Sequence, residues 1–154
     1  MRSNLAVDLH GLRFPQPVLS ASGCLATGHD VPALVDLHKL GGVVTRSLTF
    51  GPSKGWATPR SAETPSGLLT AVGLQNPGAL AFVDEDLPRL VKAGVPVVAS
   101  VAGASLGEYV NVASTVHLKP GVVAAVYQVS RAVPDGPGMG VGGIAAGEAG
   151  SEEP

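Results

Sequence analysis

The sequence predicts an α/β fold built on a parallel sheet or barrel. Two apolar, β-branched runs, Val43–Leu48 and Val95–Val101, are too continuous to be half-exposed strands and read as strands buried on both faces. Between and before them lie helix-like stretches bounded by glycine and proline. Strand, helix and strand thus alternate at the spacing of βαβ units.

Residues 5–20 open the chain as short strands. Ala6-Val7-Asp8-Leu9 and Leu12-Arg13-Phe14 flank the turn pair His10-Gly11, and Pro17-Val18-Leu19-Ser20 leads into a small-residue loop. Asp30 and Pro32 suit a first helical turn. Val31, Leu34, Val35 and His38, with Leu37 and Leu40 beside them, predict an amphipathic helix closed by Gly41-Gly42. The strand from Val43 follows, then a long loop to about Pro77. Residues 78–93 read as helix, with Pro88 forcing a break or a fresh start. After the strand ending at Val101, Gly107–Ala113 begins a helix, and Ser114–Leu118 carries no clear pattern. Pro120 is expected to open a helix with Val122, Val126, Val129 and Val133 on one face. Met139–Ile144 reads as a glycine-laden strand end. Ala145–Pro154, built only from alanine, glycine, serine, glutamate and proline, reads as a disordered tail. The expected division is 1–144 for the folded domain and 145–154 for the tail.

Bulk properties narrow the function. A net charge of −2 gives no basis for a nucleic-acid or anionic-membrane partner. No apolar run approaches the ~20 residues that span a bilayer, and the first ten residues lack a secretory h-region, so a cytoplasmic protein is expected. One cysteine allows no internal disulfide, and four scattered histidines show no metal-ligand spacing.

Several segments carry chemistry. The 63–78 stretch, Glu-Thr-Pro-Ser-Gly-Leu-Leu-Thr-Ala-Val-Gly-Leu-Gln-Asn-Pro-Gly, is too rich in glycine and proline for regular structure. With Leu68, Leu69, Val72 and Leu74 it is also too apolar for a solvated linker, so it reads as a loop folded over something. Ala21-Ser22-Gly23-Cys24 ends a strand with small residues, as any tight strand-to-loop turn requires. Arg46-Ser47 and Ser100 end the next two strands. Gly138-Met-Gly140-Val-Gly142-Gly143 satisfies G-x-G-x-x-G in letters. The dinucleotide reading fails, because that fingerprint needs a following helix and an acidic residue about 20 positions on.

Ala21-Ser-Gly-Cys24, Thr58-Pro-Arg60, Glu63-Thr64 and Gly73-Leu-Gln-Asn-Pro-Gly78 together closely resemble the class 1 dihydroorotate dehydrogenases, most of all the NAD-linked (1B) type. The resemblance implies a (β/α)8 barrel that binds FMN and oxidises (S)-dihydroorotate to orotate in pyrimidine synthesis. It implies cofactor contacts at Ala21, Ser22, Gly23, Arg46, Ser47, Ser100, Gly142 and Gly143, the last two toward the FMN phosphate. It implies substrate contacts at Arg46, Thr70, Val72, Gly73 and Leu74. Arg46 stands where the family usually has lysine, Thr70 where it commonly has asparagine, and Ser100 where it usually has asparagine. Arg60 and Glu63 are expected to brace the loop or an interface, Asn76 to be structural, and Cys24 to be a buried thiol. Implied partners are an FAD/iron–sulfur electron-transfer subunit and a second copy of the chain.

A (β/α)8 domain takes about 250 residues. The resemblance covers residues 5–113 and resumes from about 118 to 144. The expected fold is therefore an incomplete barrel of strands one to three plus a strand-seven-like segment, internally deleted near 113–118 and truncated at the end. The family's Asn-x-Ser-Cys-Pro-Asn loop, which carries the catalytic base, does not occur, so no catalytic residue is assigned and the chain is expected to be inactive alone. The alternatives are a non-catalytic, partner-dependent half-barrel, or another FMN barrel such as a dihydropyrimidine dehydrogenase domain.

Overall fold

The computed structural model describes residues 5–25, 35–117 and 119–127. It opens with a hairpin of β1 (Val7–Leu9) and β2 (Leu12–Phe14). His10 and Gly11 both have positive φ, the two-residue turn whose twist matches that of paired strands. Asp8 accepts the Gly11 N–H at 2.9 Å and fixes the turn.

The centre of the fold is a four-stranded parallel sheet in the order β3 (Leu19–Ser20), β4 (Gly42–Val44), β7 (Val97–Val101), β8 (Val122–Tyr127). Each crossover adds its strand on the same side as the last. The sheet is thus wound in one direction, without the reversal that marks doubly wound folds. All five residues of β7 are buried, as expected of a central strand covered on both faces. Gly41 admits the close approach of the chain before β3: a Cβ there would lie 1.9 Å from the Gln16 carbonyl oxygen.

One helical run packs on the sheet as α1 (Ala79–Ala81), a π turn over Phe82–Asp86 and α2 (Leu87–Lys92). Pro88 explains the π turn. It has no N–H for residue 84 and its ring crowds that carbonyl, so the helix widens by a residue instead of breaking. α3 (Leu106–Val116) starts at Ser105, whose hydroxyl accepts the Glu108 N–H, while Glu108 accepts the Ala104 N–H. Phe82, Leu87, Leu90, Val112 and Val116 from the helices close on Val43, Leu48, Val97, Ala99 and Val101 from the β4 and β7 segments.

Two expectations need correction. Residues 122–127 are a strand, not a helix. The apolar row Val-Val-Ala-Ala-Val-Tyr beside β7 satisfies its backbone by pairing, and β-branched valines suit a pleat better than a helical turn. The described sheet therefore has a fourth strand after the three expected, and the strand-seven-like segment expected at 139–144 lies outside the described residues. α3 runs to Val116, and a turn at Lys119–Gly121 leads into β8. Finally, the long loop contains a hairpin, β5 (Ser61–Thr64) paired antiparallel with β6 (Gly67–Thr70) around Pro65-Ser66. Turn chemistry at the Pro-Ser pair had hidden it.

Of the expected helix around 31–40, the described part is a single 3-10 turn, Leu37–Lys39, capped by Asp36. Val31 and Leu34 lie outside the described residues, as do Met139–Ile144 and the tail. No described helix is long and apolar enough to cross a membrane.

Phe82 is fully buried where helix meets sheet. Replacing Phe82 by alanine is expected to lower unfolding free energy by about 3–5 kcal/mol, measured by chemical denaturation. Replacing the 70 %-exposed Leu69 by lysine should change it by no more than about 0.5 kcal/mol.

Candidate functional site

Because the sheet is parallel, the segments that follow β3, β4 and β7 all leave from one edge. They carry Ala21–Cys24, Thr45–Leu48 and Ala102–Gly103. The first is a turn closed by the Cys24 N–H on the Ala21 carbonyl at 3.1 Å, with Gly23 at φ 83°. Ala21, Ser22 and Gly23 are exposed, and a Cβ built on Gly23 meets none of the described residues within 4 Å. Cys24 is exposed as well, against the expectation of a buried thiol; the turn that bares Ala21–Gly23 bares its side chain too.

Ser47 and Ser100 come together. Both are buried, and their hydroxyl oxygens lie 3.0 Å apart. Beside them Thr45, fully buried, accepts the Ser100 N–H at 2.9 Å. Arg46 is half-buried and its guanidinium donates to the Gln75 carbonyl at 3.1 Å, which ties the end of β4 to the loop after β6.

That loop is braced by two residues. Asn76, buried, accepts the Thr49 N–H at 3.1 Å and the Gly78 N–H at 2.9 Å, and donates to the Leu74 carbonyl at 2.6 Å. Its backbone pairs with Ser53 in both directions at 3.0 Å. Arg60 donates to the Trp56 carbonyl at 2.6 Å, the Lys54 carbonyl at 2.8 Å and the Gln75 side chain at 2.6 Å. Both are bracing residues, as expected from the sequence. Val72, Gly73 and Leu74 run exposed between these braces. Gly73 sits at φ 75°, and a Cβ there would lie 2.8 Å from the Trp56 ring, so the segment requires glycine.

The structure thus joins Arg46, Ser47, Ser100 and the 72–76 segment. Thr70 is farther out on the hairpin, exposed, with its hydroxyl receiving the Ser61 hydroxyl at 3.3 Å. Glu63 is exposed on β5 opposite Leu68. Gly142 and Gly143 lie outside the described residues. Two residues were missed by sequence reasoning. Gln75 was hidden inside a run of matching letters, and Thr45 shows its role only once the register is known. No group of three or more His, Cys, Asp or Glu among the described residues could hold a metal.

Asn76→Ala removes a buried donor and acceptor at once. It is expected to cost about 2–4 kcal/mol and to speed hydrogen exchange at the Thr49 and Gly78 amides, while leaving the β7 amides protected.

The family model described as dihydroorotate dehydrogenase matches residues 4–140. A curated protein of Geobacillus sp. named dihydroorotate dehydrogenase B (NAD(+)), catalytic subunit, is 42% identical over 145 residues, covering 94% of this chain and 45% of the relative. A protein of the same name from Endomicrobium trichonymphae is 43% identical over 130 residues, covering 84% and 42%. The chain therefore spans less than half the length of these relatives. A crystal structure of an Eimeria tenella dihydroorotate dehydrogenase in complex with ferulenol superposes with a TM-score of 0.47 at 21% identity, over 64% of this chain and 28% of that one. By the family model's match over most of its length, this chain belongs to the dihydroorotate dehydrogenase family.

Proposed function

We propose that the described residues form the first four strands of a (β/α)8 barrel and one wall of a dihydroorotate dehydrogenase site. The reaction is the FMN-dependent oxidation of (S)-dihydroorotate to orotate, in pyrimidine synthesis. The observation that carries this reading is the convergence at one sheet edge of Arg46, the Ser47–Ser100 pair and the loop after β6, with Arg46 tied to that loop at Gln75. In (β/α)8 enzymes the chemistry sits at the carboxyl ends of the strands, where these residues lie.

The residues present fit a flavin. Ala21, Ser22 and Gly23 offer an exposed backbone without bulky side chains, with no described residue within 4 Å of a Cβ on Gly23. Arg46 offers a fixed positive charge, and Ser22, Ser47 and Ser100 offer hydroxyls. When bound, FMN supplies the acceptor for the hydride that leaves the substrate. The chain's own part is to hold the ring against the β3 turn and to set a cation beside an anionic substrate, a preorganised electrostatic contribution. Arginine at position 46 keeps the charge of the family's lysine and adds a planar donor fork, one arm of which goes to Gln75. Val72, Gly73 and Leu74 cover the substrate side.

The general base is the part this chain does not supply. The motif expected to carry it contains cysteine, and the single cysteine here is Cys24, in the turn after β3. Gln128-Val129-Ser130-Arg131, next in sequence after β8, shares only the serine with Asn-x-Ser-Cys. Losing a general base costs roughly 10²–10⁴-fold in rate. The chain is accordingly a cofactor- and substrate-binding half, inactive alone, in a cytoplasmic protein. The NAD-linked relatives are named catalytic subunits, which fits a partner subunit that carries electrons onward.

A second reading, a half-barrel completed by a partner, has its own support. β8 is an edge strand of six apolar or aromatic residues, all only half-buried, with its outer edge unpaired among the described residues.

Titrating the purified chain with FMN and with orotate tests the main reading. Weak but saturable binding of both is expected, with no dihydroorotate-dependent reduction of an acceptor. Arg46→Ala should weaken orotate binding roughly ten- to hundred-fold. Absence of any flavin or orotate binding contradicts the proposal, and turnover by the chain alone contradicts the assignment of the base.

A further inference from the structure

At the carboxyl end of β4 the ladder with β7 shifts by one residue. Val43 and Val44 lie opposite Val97 and Val98, whereas Leu48 lies opposite Val101. Four steps on the β4 side thus match three on β7, which is a one-residue bulge. The Thr45 N–H donates to the Val98 carbonyl at 3.0 Å. In an unbroken parallel ladder the next two bonds run from the Ser100 N–H to the Thr45 carbonyl, and from the Ser47 N–H to the Ser100 carbonyl. Here the Ser100 N–H donates to the Thr45 side-chain hydroxyl at 2.9 Å, and Leu48 takes the Ser100 carbonyl at 2.8 Å. The Ala102 N–H then continues the shifted ladder on the Leu48 carbonyl at 2.9 Å.

The shift decides which side chain neighbours Ser100. Had the β4 register continued, Arg46 would stand beside Ser100. With the shift it is Ser47, whose hydroxyl oxygen lies 3.0 Å from that of Ser100. Arg46 is left out of the ladder and reaches the Gln75 carbonyl instead. We propose that Thr45 is a positioning residue: its hydroxyl replaces its own carbonyl in the ladder, and so holds the bulge that sets Ser47 beside Ser100 and frees Arg46 for the loop. For its functional half this rests on the reading of Arg46, Ser47 and Ser100 as flavin- and substrate-side groups. Valine has the shape of threonine without the acceptor and leaves the Ser100 N–H orphaned in a buried site. Serine keeps the oxygen.

The test compares the full chain with Thr45→Val and Thr45→Ser, by hydrogen exchange at the Ser100 amide and by FMN titration. Thr45→Val should exchange that amide roughly ten- to hundred-fold faster and bind FMN about tenfold more weakly. Thr45→Ser should stay within about threefold of wild type in both, the rescue that shape alone does not provide. Unchanged exchange in Thr45→Val overturns the ladder role. Faster exchange with unchanged FMN binding overturns the positioning role. A wild-type chain that takes up no FMN defeats the functional reading, while exchange still decides the bulge. If Thr45→Val does not fold, rapid exchange of the Ser100 amide in folded wild type or Thr45→Ser overturns the proposal equally.

Discussion

The pairing of β4 with β7 is the interaction on which the rest of the structure depends. Val43 and Val97 are both fully buried and directly opposed, and the helices close over the face they share. A parallel pair cannot be made by a short turn, so the chain must travel from Val44 to Val97 through a long connection. That connection contains the β5–β6 hairpin, the braced loop and the helical run. The same pairing that builds the core therefore also returns Gln75 and Asn76 to the end of β4. Fold and site share one constraint.

Burial divides along the sheet in a way that follows from the pleat. Val97, Ala99 and Val101 pack into the helix-covered core, while Val98 and Ser100 alternate to the other face and are buried as well. Placing hydroxyls on that second face has a cost that only internal hydrogen bonds offset. Ser47, Thr45 and Ser100 meet the requirement among themselves and with the backbone. The hydroxyls at this end of the sheet are thus held by internal hydrogen bonds, the preorganisation that the proposed electrostatic site needs. The hairpin differs. Every residue of β5 and β6 is exposed, and such a pair is marginal by itself, so its contribution lies in what it covers.

Much of this was legible in the sequence. Continuous β-branched runs at 43–48 and 95–101 announced a buried parallel pair, and Pro88 announced an irregular helix. Asn76, before a proline, was recognisable as structural, and Arg60 as a residue that braces the loop or an interface. Residues 120–127 were misread because a proline followed by valines at spacings of three and four satisfies a helical pattern. Against a waiting β7 edge the same valines satisfy a strand, and tertiary pairing decides. The hairpin was missed because glycine and proline mask alternation over so short a run. Thr45 was invisible for another reason. Its role exists only in a register shift between two segments more than fifty residues apart, which no local pattern encodes.

The central claim is that residues 122–127 extend the sheet as a fourth strand in sequence order, continuing one-directional barrel winding. Cross-strand nuclear Overhauser contacts test it directly, in the full chain. The account predicts contacts between Ala99 and Ala125 and between Val101 and Tyr127, the pairs in register between β7 and β8. Helical contacts three residues apart within 122–127, with none to β7, would contradict it.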